Sequence, residues 1–184
     1  MARAGQVIED PVTGARVTFL QTAQDTDGEL LQFEEVLAPG GFVQPHVHVK
    51  QEERLRMLDG SLRIKVARKA ITAKGGDEVV IPAAVGHSLR NVALEEARVI
   101  VELRPALATD ALLERFWRLA REGKTNRWGV PGPLELALLM SEHKEDFFYL
   151  PWIPPALQRA ATAALVPAAR RRRRRGSEGS TRAP

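Results

Sequence analysis

The sequence predicts an all-β core, a sandwich or barrel over residues 1–105, followed by a short α-helical C-terminal extension over residues 106–169 and an arginine-rich disordered tail over residues 170–184. Three observations predict this order. Short apolar runs with period-2 alternation alternate with turn signals up to residue 105. The apolar spacing then changes to that of helices. The last residues are a charge run with almost no apolar material.

Ala15 to Leu20 is the first clear run, and Leu30 to Leu37 the second, with Leu31, Phe33 and Leu37 on one face. In Ser61 to Val66, Leu62, Ile64 and Val66 alternate with Ser61, Arg63 and Lys65, and Glu96 to Leu103 closes the series. Asp27-Gly28, Pro39-Gly40-Gly41, Asp59-Gly60 and Gly75-Gly76 supply the turns. Many short strands at close spacing suit a sandwich or barrel. Beyond residue 105, Thr109 or Asp110 can cap a helix whose stripe is Leu112, Leu113, Phe116, Trp117 and Leu119, with Gly123 placed to end it. A second helix is expected from Pro133 to about His143, and a third from Pro155 to Val166. Phe147 to Pro155 is too proline-rich for a helix interior.

Of the 184 residues, 44% are apolar and 27% charged, and there is no cysteine. A disulfide framework, thiolate metal sites and a cysteine nucleophile are excluded. No stretch is long and apolar enough for a transmembrane segment, and the N-terminus lacks the apolar run of a signal peptide, so a cytoplasmic location is expected. The net charge of +4 is unevenly placed. Residues 170–184 carry seven arginines (Arg170 to Arg175, and Arg182) against Glu178, a balance of +6, which leaves residues 1–169 at −2. Basic character therefore belongs to the tail. Such a run attracts phosphates without reading sequence, so no sequence-specific nucleic-acid partner is expected.

The chain has four histidines, His46, His48, His87 and His143. His46 and His48 stand at i and i+2, which on a strand turns both imidazoles to one face. A hairpin at Lys50-Gln51 is expected to return the chain antiparallel and to set Glu53 opposite the pair. Glu52, of opposite parity, points away. Imidazoles with a carboxylate suit a divalent first-row metal. His143 is expected to be a surface or packing residue.

Two stretches carry a resemblance. One reads Gly40-x5-His46-x-His48-x4-Glu53-x6-Gly60; the other reads Gly76-x5-Pro82-x-Ala84-x2-His87-x3-Asn91. They resemble, in order, the two signature motifs of the cupin superfamily, and the intervening Ser61 to Gly75 matches the short spacer of compact bacterial cupins. The resemblance covers roughly residues 30–104. It implies a double-stranded β-helix, or jelly-roll barrel, and carries the family's metal ligands onto His46, His48, Glu53 and His87. It also implies a divalent metal ion, iron or manganese first and nickel or zinc next, and a homodimer. One departure stands out. Ala84 replaces the family's usual glycine, and an alanine held at positive φ there is strained.

Alternation also suggests a substrate pocket lined by Phe33, Gln44, Leu55, Met57 and Leu89, largely apolar beyond the metal. Asn91 is read as fixing a turn. The only spare histidine and the only tyrosine, Tyr149, lie outside the barrel strands. With no second acid or base recognised, the chemistry is assigned to the metal, and no catalytic residue beyond the ligands is named. The expected function is that of a metal-dependent oxidoreductase, dioxygenase-like, acting on a small chelating molecule. The alternatives are a non-catalytic small-molecule-binding or sensor cupin and a metal-dependent isomerase or decarboxylase.

Overall fold

The computed structural model describes residues 2–145, 147–148 and 150–180. In chain order the strands are β1 (Val7–Asp10), β2 (Ala15–Gln21), β3 (Leu31–Leu37), β4 (Phe42–His48), β5 (Glu52–Asp59), β6 (Ser61–Val66), β7 (Lys69–Lys74), β8 (Glu78–Ile81), β9 (His87–Arg90) and β10 (Ala97–Arg104). Helices α1 (Thr109–Arg121) and α2 (Pro133–Glu142), the two-residue strand β11 (Phe147–Phe148) and helix α3 (Pro155–Ser180) follow. The strands form two antiparallel sheets, ordered β1-β2-β3-β10-β5-β8 and β11-β4-β9-β6-β7. This is the jelly-roll core with a helical extension that the sequence predicts.

Alternation sets which face each strand buries. Leu62 and Ile64 of β6 are fully buried between exposed Arg63 and Lys65, and Leu55 and Met57 of β5 between exposed Arg54 and Arg56. The inner faces meet in one core, where Phe19 and Phe33 pack edge to face with centroids 6.1 Å apart. Fully burying a Leu, Ile or Phe of this kind stabilises by roughly 1.5–3 kcal/mol. Helix α1 adds Leu112, Phe116, Trp117 and Leu119 to that core as a stripe at helical spacing.

Three expectations change. First, β4 and β5 do not form a hairpin. They belong to different sheets, so the chain crosses the barrel at residues 49–51 and Glu53 faces the histidines from the opposite sheet. Second, Ala108 occupies the N-cap of α1. Asp110 is used elsewhere, accepting the Ala2 amide at 3.1 Å, and Thr109 Oγ1 bonds to Gln51. Third, α3 does not stop at Val166 but runs through Pro167 to Ser180. Residues 170–180 are thus helical where a disordered tail is expected. A proline inside a helix costs about 3 kcal/mol. Good helix formers, alanine and arginine, flank it, and Ala169 is buried, which carries the helix onward. Residues 181–184, with Arg182, lie outside the described residues, as does Tyr149. Among the described residues, no helix is long and apolar enough to cross a membrane.

Candidate metal centre

His46 and His48 sit at the end of β4, and β9 pairs with β4 so that His87 lies directly across from His46. The register shifts by one residue between Val43 and His46, around Pro45, which has no N–H to give the ladder. Such a bulge re-aims side chains. Here it breaks the alternation, and Phe42, Val43 and Gln44 all touch the interior cavity. Glu53 arrives on β5 from the facing sheet, paired in backbone with Leu103 and Ile81. Glu52 is exposed.

One donor atom from each of His46, His48, Glu53 and His87 lies within 4.8 Å of the others, and all four residues are buried. The separations are 3.0 Å between His46 Nε2 and His48 Nε2, 2.6 Å between Glu53 Oε2 and His87 Nε2, and 3.5 Å between Glu53 Oε2 and His48 Nε2. Each imidazole is anchored from behind. Nδ1 of His46 lies 2.7 Å from the Gln44 carbonyl, Nδ1 of His87 lies 3.1 Å from the Val85 carbonyl, and Nδ1 of His48 lies 3.1 Å from Gln51 Oε1. A carbonyl only accepts, so each Nδ1 donates, and with a cation bound each Nε2 lone pair would face the common centre. Gln51 is itself oriented, because its Nε2 donates to the Pro105 and Ala106 carbonyls at 2.8 and 3.0 Å. Hydrogen-bonded supports of this kind fix ligand orientation at metal sites.

The donor set fits a cation. With both Nε2 lone pairs turned inward, His46 and His48 approach to 3.0 Å, a separation that a shared cation or proton relieves. Glu53 Oε2 and His87 Nε2 are buried without hydrogen-bond geometry to any partner among the described residues, despite their close approach. Burial holds His46 well below the usual histidine range, with His87 and His48 adding to the effect. Burial alone would raise Glu53 and lower His87. Their mutual attraction outweighs it, holding Glu53 down at about 2 and lifting His87. Three imidazoles and one carboxylate suit a divalent first-row metal. The cluster can hold a metal ion.

The centre opens on a cavity of about 120 Å³, the order of size that takes one benzene-sized group. His46, His48 and Glu53 face it, with Val17, Phe33 and Leu103 from the barrel and Leu112, Phe116 and Trp117 from α1. Of the residues read as lining a substrate pocket, Phe33 and Gln44 face this cavity. Leu55, Met57 and Leu89 do not. They face the same interior but are consumed by the core, at 0%, 2% and 2% exposure. Asn91 bonds to the Leu37 and Glu95 carbonyls and the Ala93 amide, fixing a turn. His143 lies at the C-terminal end of α2, outside the cluster.

Sequence reasoning missed Gln51, read only as a bend, and Glu35. Glu35 lies on β3 between Phe33 and Leu37, is 6% exposed and lines the cavity. Burial, with Glu53 nearby, pushes its carboxyl up to about 8. Its parity was visible. With Leu31, Phe33 and Leu37 inward, Glu35 must point inward as well.

Two antiparallel sheets converge three histidines and a glutamate on one interior point, which defines a small β-barrel with a cluster that could hold a metal ion. The family model described as "Cupin domain" matches residues 33–102, so this span, which holds all four cluster residues, is similar to a cupin domain. A curated relative from Streptomyces cyaneus, described as "Polyketide synthase CurC", is 29% identical over 70 residues, 38% of this chain. The chain spans 46% of that relative's length. A crystal structure described as a predicted oxalate decarboxylase from Thermotoga maritima covers 57% of this chain and 98% of its own, at 18% identity and a TM-score of 0.51. The polyketide cyclase RemF from Streptomyces resistomycificus covers 56% and 78%, at 18% identity and a TM-score of 0.48. At 18% identity, the likeness to the Thermotoga maritima structure bears on the fold alone.

Proposed function

We propose that this protein is a metal-dependent enzyme acting on a small molecule that has an apolar body and chelating oxygens. One observation carries the reading: four convergent, buried donors stand at the wall of an otherwise apolar cavity. His46, His48, Glu53 and His87 would hold the ion. A divalent metal there would supply Lewis acidity and, when redox-active, access to dioxygen chemistry. The chain's own residues would do the rest. Val17, Phe33 and Trp117 would exclude water around the apolar body, and Gln44 would orient a polar group, since its Nε2 is buried without a hydrogen-bond partner among the described residues.

The donor set supports a dioxygenase-like oxidoreductase. A second reading, metal-dependent isomerisation or decarboxylation, is favoured by Glu35. Isomerisation and decarboxylation need an acid or base inside the barrel, and Glu35 is such a group. The curated relative's description as a polyketide synthase points to the same substrate chemistry, because polyketides carry oxygens on alternate carbons and so chelate.

Elemental analysis of untagged protein tests the centre. Near-stoichiometric iron, manganese, nickel or zinc is expected in the wild type, and its loss in His46→Ala and His87→Ala. A wild type that holds none, even after incubation with each ion, would leave a non-catalytic binding module. Oxygen uptake by iron-loaded protein with a polyphenol or β-dicarbonyl substrate separates the two readings, since only oxidation consumes dioxygen.

A further inference from the structure

Glu35 is the buried group for which the metal centre has no use. Its side chain makes no hydrogen bond or ion pair among the described residues, although it is 6% exposed. Asp10, the other carboxyl on the cavity wall outside the centre, is tied down instead, with Oδ1 accepting the Val12 and Thr13 amides at 2.8 and 3.3 Å. Burying a carboxyl without a partner costs free energy. An apolar residue would fill the position at lower cost, because its inward neighbours on β3 are Phe33 and Leu37. What the position offers is a view of the cavity that His46, His48 and Glu53 also face.

We propose that Glu35 is a catalytic acid–base group, which takes a proton from a substrate held at the four-residue centre and returns it. The inference rests on the metal-dependent reading and holds for either reaction class. For a β-dicarbonyl substrate, the proton leaves the carbon between the two carbonyls for the Glu35 carboxylate. The C–H electron pair becomes the C=C of an enolate, and the negative charge settles on oxygen. Return of the proton to carbon restores the ketone and the carboxylate. Nothing is oxidised or reduced, and no co-reactant is consumed. Burial and the nearby Glu53 raise Glu35 towards neutrality, where proton exchange is fastest in both directions. The other titratable groups facing the cavity are Asp10 from β1, His46 and His48 from β4, and Glu53 from β5; α1, β2 and β10 contribute none.

The test uses the full chain loaded with zinc, which is redox-inert, and acetylacetone as the probe. Exchange of its methylene protons in deuterated water is followed by NMR. Wild type should accelerate exchange over zinc in buffer. Glu35→Gln should hold equal zinc and bind acetylacetone equally by difference absorbance, while losing about 100-fold or more of the acceleration, the scale of general acid–base catalysis. In metal-free protein, the infrared band of a protonated carboxyl should titrate near neutrality and vanish in Glu35→Gln. Should that variant not fold, the wild-type exchange rate must rise with pH along the infrared titration. Stoichiometric zinc with exchange unaccelerated, unchanged by Glu35→Gln, or flat with pH would overturn the proposal and leave the metal reading standing. Absence of bound zinc, read from metal content alone, would overturn both.

Discussion

Ala84 holds φ at 64°, the left-handed region that costs an L-residue roughly 1–2 kcal/mol. It sits in the turn between β8 and β9 that delivers His87, and its amide donates to the His48 carbonyl at 2.7 Å, so one strained residue ties the end of β4 to that turn. Ala84→Gly should therefore stabilise the protein by about 0.5–1 kcal/mol, the relief of strain less the entropy a glycine adds to the unfolded chain. Urea unfolding measures it, and a variant no more stable than wild type would show that the turn bears no strain. Gln51 gives a sharper test of the centre. Gln51→Met keeps the volume but removes the acceptor that places the proton of His48 on Nδ1. Metal affinity should fall roughly 10–100-fold, as for other hydrogen-bonded supports of ligands. Competition with a chromophoric chelator reads this, and unchanged affinity would mean that strand geometry alone orients His48. At this scale the four cluster residues were legible, because H-x-H parity and motif spacing are local in sequence. Gln51 was not, since its partners Pro105 and Ala106 lie more than fifty residues away.

Among the elements, α1 matters most to the site, because it walls the cavity with Leu112, Leu113, Phe116 and Trp117. The stripe itself was readable, as apolar residues at helical spacing must be covered by something. Its partner was not, because periodicity says that a face is buried but not against what. The cap was misread for a related reason. Thr109 and Asp110 both look like N-caps, yet tertiary contacts with Gln51 and Ala2 claim their side chains. The same limit applies to the crossing from β4 to β5. A short polar link fits a hairpin or a step between sheets equally well, and only the packing of the whole barrel decides. Trp117→Ala should destabilise by about 3–5 kcal/mol, the range for removing a buried aromatic, and should open the cavity to water. Denaturant unfolding gives the first, and a loss below about 1 kcal/mol would mean that α1 packs loosely on the barrel.

Over the whole molecule, a slightly acidic barrel and its helices carry basic charge at one end, where Arg170–Arg173 lie exposed on α3. That charge sits apart from the interior, so the pH response of the fold is governed by the buried groups. Glu35 dominates the alkaline side. Its carboxyl titrates at about 8 in the folded protein against 4.5 ordinarily. Between these values the folded state keeps a proton that the unfolded state has released, so raising the pH favours unfolding. The cost starts near the lower value, grows through neutrality and is complete above the upper one, where it is on the order of 4–5 kcal/mol. Burial depresses His46, and against burial the neighbouring Glu53 raises His87. Comparing variants cancels them. Metal-free Glu35→Gln should therefore gain stability over wild type progressively from about pH 5 to pH 8 and hold a constant margin beyond. Thermal melts in chelator across that range would show the two curves diverging. Parallel curves would mean that Glu35 is already ionised at neutrality, with its charge solvated through the cavity. A cost of this size, borne by one residue on an inner face that is otherwise apolar along β3, is what a fold keeps when the carboxyl serves the chemistry next to it.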